Sequence, residues 1–155
     1  MPTEKLALQP VILEVVSRVL SLLLLTVALS GCASKARAPS PSSVVRAWSN
    51  ALNAGDNQRA ADLFAPDAQI VQGNLVRRLH THSEAVAFNR TLPCSGRIVE
   101  LRSRGRDIEA TFVLGNRPAS LCDGPGQRAA ALFRIRQGKI VLWHQIPAPP
   151  AEPVV

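Results

Sequence analysis

Hydrophobic positions follow three patterns along the chain. An apolar run from Val19 to Leu29 is broken only by Ser21 and Thr26. From Ser43 to Pro93 the apolar residues mostly recur at helical spacing. Val44, Val45, Trp48 and Leu52 share one helix face, with Ser42 or Ser43 as cap and Gly55 as stop. Asp56 caps a second, short helix that turns Ala60, Leu63 and Phe64 inward and ends before Pro66. "AQIVQ" (68–72) and "LVRRLH" (75–80) read as a hairpin about Gly73-Asn74. Thr81 and Glu84 form a capping box for a third helix, with Ala85, Phe88, Asn89 and Leu92 inward and Pro93 at its end. Past that point the pattern is that of strands: "GRIVELRSR", "IEATFVLG", "RAAALFRIR" and "KIVLWHQI". Turns at Gly105–Asp107 and Gln137-Gly138, and a Gly/Pro-rich loop at 116–126, join them. Short connections make such strands antiparallel neighbours. Helices before and between antiparallel strands predict an α+β fold in which the sheet curls over the N-terminal helices.

The apolar run is too short for a membrane span, which takes about 20 residues. It has the length of a signal-peptide core. Arg18 precedes it and Leu29-Ser30-Gly31-Cys32 closes it. That order resembles the bacterial lipobox, in which the cysteine thiol receives a diacylglyceryl group and cleavage leaves the cysteine first. The expectation is a signal peptide over 1–31, lipid on Cys32, a flexible tether over 32–42, a folded domain over 43–147 and a disordered tail over 148–155. Met1 to Ser17, with Glu4, Pro10 and Glu14, is long and mixed for the charged start of a signal. A start at Val15 or Val16 gives a conventional one. The expected location is the extracytoplasmic face of a bacterial membrane, held by the lipid anchor.

Removing residues 1–31 leaves room for one domain. The leader holds Lys5 and Arg18 against Glu4 and Glu14, so the net charge stays at +7. Excess basic charge points to nucleic acid in many proteins. An exported chain with no tyrosine and little aromatic surface does not fit that class. An Arg-rich soluble surface, anionic head groups or wall polymers fit better. Of three cysteines, the lipobox takes Cys32. Cys94 and Cys122 remain for a disulfide in an oxidising compartment.

The words "VVRAWSNALNAGDNQRAADLFAPDAQIVQG" (44–73) and "FRIRQGKIVLWHQ" (133–145), in this order of elements, resemble the nuclear transport factor two-like superfamily, also called SnoaL-like or ketosteroid-isomerase-like. "TLPCSGRIVEL" (91–101) is similar to its exported, disulfide-containing actinobacterial branch. The resemblance implies a cone: a strongly curved sheet around the long helix, with an apolar pocket open at one end and, often, dimerisation through the outer sheet face. The superfamily holds enzymes and binding modules alike. In the isomerase branch a helix-1 tyrosine donates to the oxyanion, and Trp48 matches it here. The general base is an aspartate matched by Gln72, which takes no proton at neutral pH. Asp56, Asp62 and Asp67 fall at caps and turns, not at pocket positions of an Asp–Arg–Asp hydrolase set.

The resulting candidate pocket is Trp48, Leu52, Phe64, Gln72, Phe88, Phe112 and His144, for a small apolar ligand with Gln72 and His144 orienting a polar group. Along the last strand, Ile140, Leu142, His144 and Ile146 alternate with Val141, Trp143 and Gln145. Either set faces the cone, so either His144 or the pair Trp143 and Gln145 belongs to the pocket. His144 is the one candidate acid/base for an isomerase, cyclase or hydrolase alternative. A third reading is an accessory lipoprotein that docks a partner. His80-x-His82 lacks a third ligand, so no metal site is expected, and no cofactor motif is present. Arg102, Arg104, Arg106, Arg134 and Arg136 read as a solvated outer face in which Glu100 and Glu109 pair across strands. Asn89-Arg90-Thr91 fits a glycosylation sequon but falls on a predicted helix.

Overall fold

The computed structural model describes residues 38–150. The expected signal peptide, Cys32, most of the tether and residues 151–155 lie outside them.

Helix α1 (Pro41–Asn53) begins earlier than the sequence reading places it. The cap is Ser40, whose side chain accepts from the Ser43 N–H at 3.2 Å. Pro41 follows at the first helical position, where a missing N–H leaves nothing unsatisfied. Residues 41–42 therefore belong to the helix, not to the tether. The Asp56 carboxylate accepts from the Arg59 N–H at 2.9 Å and caps α2 (Asn57–Ala61). That helix stops short of Phe64, which opens strand β1 (Phe64–Gln72). Pro66 cannot donate to a ladder and Asp67 adopts φ 60°. The two fall where the strand register shifts, between Phe64 and Gln69. Strand β2 (Leu75–Leu79) follows. Helix α3 (His82–Thr91) carries the Thr81–Glu84 capping box. Strands β3 (Ser95–Arg104), β4 (Asp107–Gly115), β5 (Arg128–Arg136) and β6 (Lys139–Ile146) complete the chain.

The fold class is α+β, with a curved, unclosed six-stranded sheet ordered β2-β1-β6-β5-β4-β3. Every neighbouring pair is antiparallel except β1 and β6, which run parallel. A parallel pair needs a long connection, and everything from β2 to β5 intervenes here. Register breaks in β1, in β3 between Ile98 and Glu100, and where β5 meets β6 each add local twist and bend the sheet.

The last of these breaks decides which face of β6 points inward. Ile135 pairs with Ile140 and Arg134 with Leu142, so Val141 is an extra residue. Strict alternation fails across it. Ile140, 0% exposed, and Trp143, 6% exposed, both enter the core although they lie three apart. Trp48 stands at the centre, with ring centroids 5.3 Å from Phe133, 6.4 Å from Phe112 and 6.5 Å from Trp143.

The long β4–β5 connection is tied down. Cys94, just after α3, is disulfide-bonded to Cys122 in this loop, 28 residues on. Closing such a loop stabilises the fold by about 3–4 kcal/mol in the chain-entropy description. Arg117 is buried. Its guanidinium donates to the carbonyls of Asn89 (2.8 Å) and Leu92 (2.7 Å) at the end of α3, and to Asn57 Oδ1. Burial lowers its pKa from the ordinary value, yet an arginine remains charged at any physiological pH.

Candidate functional site

One end of the sheet does not close over its own side chains. The C-terminal ends of β1, β4 and β6 meet the N-terminal ends of β3 and β5 there, and a cavity of about 300 Å³ opens between them and α1. Helix α1 contributes Trp48, Ser49 and Leu52, β4 contributes Phe112 and Leu114, and β6 contributes Trp143 and Gln145. Gln72 closes β1, the segment Leu92–Gly96 enters from α3, and Asp123 comes from the β4–β5 loop.

The space exists because small residues face it. Ala129 and Ala131, on the same face of β5 as Phe133, form one wall, with the backbone of Ala130 between them. Gly96 forms another, where a Cβ would sit 2.9 Å from Phe112 Cδ1. The Gly96 backbone is held from α1. Asn53 Oδ1 accepts its N–H at 2.8 Å, and its carbonyl accepts from Ser49 Oγ at 2.7 Å and Asn53 Nδ2 at 3.1 Å. These bonds set the distance between helix and strand at the mouth.

Most donors in the lining are unavailable to a ligand. The Trp48 N–H donates to Asn89 Oδ1 at 3.0 Å, in the core. The Trp143 N–H is buried and has no acceptor among the described residues. The Ser49 hydroxyl is engaged with Gly96. Gln72 Nε2 lies 3.5 Å from Gln145 Oε1, at the limit of a hydrogen bond. Among the described residues, Asp123 is the only ionisable side chain in the lining, since Cys94 is disulfide-bonded.

The structure brings together Trp48, Leu52, Gln72 and Phe112. Phe64 and Phe88 lie in the packed core, edge to face at 5.8 Å, and do not line the cavity. His144 is on the other side of the sheet. It pairs with Val71 and Leu132 on the outer face, while Trp143 and Gln145 turn inward. Its placement as a pocket residue and acid/base is therefore corrected. The reason is the extra residue Val141, which parts the inward Ile140 from the outward Leu142 and His144. Sequence reasoning also passed over Asp123, Gly96 and the three alanines. The triplet Ala129-Ala130-Ala131 is a legible signal, since a core strand with no side-chain volume marks a place left open.

The two histidine–aspartate contacts, His80 Nδ1 to Asp67 Oδ1 at 2.6 Å and His82 Nε2 to Asp62 Oδ1 at 2.9 Å, are separate and exposed. Among the described residues, the one grouping with metal-ligand spacing is Cys94, Cys122 and Asp123, and both of its sulfurs are in the disulfide. On the outer face Arg102 pairs with Glu100, Arg104 with Glu109 at 2.7 Å, and Arg134 with Asp107 through two bonds of 2.7 and 2.8 Å.

No family model and no curated protein matches this chain. Solved structures do match in fold. An NTF2-like protein of unknown function from Cytophaga hutchinsonii superposes with a TM-score of 0.56 at 13% identity, covering 69% of this chain and 88% of that one. A putative polyketide cyclase from Sinorhizobium meliloti gives 0.52 at 18%, covering 67% and 94%. A protein with a ketosteroid isomerase-like fold from Catenulispora acidiphila, in complex with trimethylamine, gives 0.54 at 16%, covering 70% and 88%. At these identities the likeness establishes the NTF2-like cone fold.

Proposed function

We propose that this chain is a non-catalytic binding protein of the exported lipoprotein branch, whose cone takes up a small, largely apolar molecule. The observation that carries this reading is the chemistry of the lining. The cavity is walled by Trp48, Leu52, Phe112, Leu114 and alanines, and among the described residues it holds no ionisable group except an exposed aspartate. The position matching the isomerase base is Gln72. The position matching the oxyanion donor is Trp48, whose N–H is already engaged by Asn89. Neither residue transfers a proton at neutral pH. At about 300 Å³ the cavity is at the small end of ligand pockets. Lipid on Cys32 would hold this domain at the extracytoplasmic face of the membrane, and the disulfide Cys94–Cys122 suits that compartment.

Titration with the neutral bicyclic alcohol 2-tetralol tests the reading, followed by tryptophan emission. Both tryptophans of the chain line the cavity. A saturable change is expected. Its absence, or its survival in Ala131→Leu, which fills the space, overturns the proposal.

A second reading concerns the outer sheet face. Val71 and Leu132 flank His144, Leu142 and Ile146 lie two residues to either side of it, and Val76, paired with Val71, is 57% exposed. This apolar stripe favours association with a second copy. Sedimentation equilibrium of the full chain in detergent, with and without Leu142→Asp, distinguishes a dimer from a monomer.

A further inference from the structure

The cavity is asymmetric in charge, in a direction opposite to the chain. The protein carries 18 Lys and Arg against 11 Asp and Glu, yet among the described residues no cationic side chain lines the cavity and one carboxylate does. Asp123 makes no ion pair among the described residues. Its Oδ1 rests 3.3 Å from Cys94 Sγ, a half-cystine sulfur with no hydrogen to donate. The exposed carboxylate thus has no protein donor among the described residues.

Its position is also fixed in advance. The disulfide holds residue 122, Asn116 Oδ1 accepts the Cys122 N–H at 3.0 Å, and the Gly126 N–H donates to the Leu114 carbonyl at 2.8 Å. These bonds hold the loop backbone on either side of Asp123, so little main-chain freedom is lost when a ligand arrives. Meanwhile the indole N–H groups and the Ser49 hydroxyl are engaged or buried. Among the described residues of the lining, the ionic character comes from Asp123 alone, beside the neutral side chains of Gln72, Gln145 and Ser95.

We infer that the ligand is an organic amine in its protonated form, an apolar body bearing an ammonium group, and that Asp123 is its specificity-determining residue. This inference rests on the binding reading above and adds the ligand's charge. The apolar body is enclosed by Trp48, Leu52, Phe112 and the β5 alanines. The ammonium donates to Asp123 at the mouth, where the side chain is exposed and the cost of burying a charge is avoided. A carboxylate-bearing ligand of the same size meets a like charge and finds no cation in the lining.

The test uses three probes on one skeleton: 2-aminotetralin, 2-tetralol and tetralin-2-carboxylate. Each is titrated into the full chain in detergent and followed by tryptophan emission. The amine is expected to bind more tightly than the alcohol, and the carboxylate most weakly. Asp123→Asn should weaken the amine roughly fivefold, the weight of a partly exposed ion pair, and leave the alcohol within about twofold. In the unaltered protein, raising salt from about 50 to about 500 mM should weaken the amine and not the alcohol. A carboxylate preference, equal loss of amine and alcohol in Asp123→Asn, or amine binding indifferent to both the variant and salt overturns the inference. Failure of 2-tetralol to bind the unaltered protein overturns the parent reading instead, and this one with it.

Discussion

Strand β5 is built in two halves. Its first half, Ala129-Ala130-Ala131, lines open space. Its second half brings Phe133, 0% exposed, against Trp48 and, at a centroid distance of 6.4 Å, Phe112. The same strand thus closes one end of the cone and leaves the other open, through side-chain volume alone. At the closed end each aromatic ring has neighbours on several sides, as in Phe88, which packs 5.3 Å from Trp143 and 5.8 Å from Phe64. At the open end, polar clamps and a disulfide replace packing: Asn53 and Ser49 on Gly96, and Cys94 on Cys122. The closed end is held by burial and the open end by bonds that keep the mouth in shape without filling it.

The contrast can be broken most severely at the closed end. Phe133→Ala removes a fully buried ring and should cost about 3–5 kcal/mol in urea unfolding. A loss under about 1 kcal/mol would mean that this end is not close-packed. Next in size is the disulfide. Replacing Cys94 and Cys122 together by alanine should lower stability by about 3 kcal/mol, and exchange of the amides at 116–127 should rise more than that of β5.

A paired comparison sharpens the difference at one level of the sheet, because Ala110 and Ala131 face each other across β4 and β5. Ala110→Leu enters packed core and should cost about 1–3 kcal/mol through strain. Ala131→Leu enters the cavity and should stay within about 1 kcal/mol of the parent while abolishing probe binding. Equal costs for the two would remove the distinction.

The smallest effect concerns the outer face. The Arg134 hydrogen bonds hold the Asp107 carboxyl below its ordinary pKa against the opposing effect of burial, with smaller help from the charges of Arg134 and Arg106. A depressed carboxylate pKa stabilises the fold above the unfolded-state value, and that share fades as pH falls through the folded value. Arg134→Gln should therefore lose up to about 1 kcal/mol at pH 7, and the gap to the parent should close in acid below the ordinary aspartate range. A gap that persists there would show that Arg134 acts through packing of its stem.

Much of the fold was legible from local rules. Thr81 and Glu84 formed the expected capping box because both partners lie within one turn. Strands β3 and β5 ended where Gly105 and Gly138 supply positive φ. Boundaries failed where a residue had two uses. Pro41 was counted with the tether, but a proline opens a helix as well as it breaks one. Phe64 was assigned to a helix face, but it begins a strand whose irregularity absorbs Pro66 and Asp67. The site was legible only in part. Trp48, Leu52, Gln72 and Phe112 line the cavity; Trp48 and Gln72 were named by the family resemblance, and Leu52 and Phe112 lie on elements whose periodicity sets their faces. His144 was not, because one extra residue on β6 reassigns the face of everything after it. Asp123 was overlooked because a loop residue has no periodicity to place it.

By itself the sequence determined most of the helices and strands, that Cys94 and Cys122 are candidates for a bridge, and that Gln72 and Trp48 carry no acid/base group. Those properties rest on interactions within a few residues or on residue type alone. The tertiary structure decided which face of β6 is inward, where the alanines leave space, and that a carboxylate stands over that space. These depend on register shifts and on a loop held by a residue 28 positions away, and no local pattern records either.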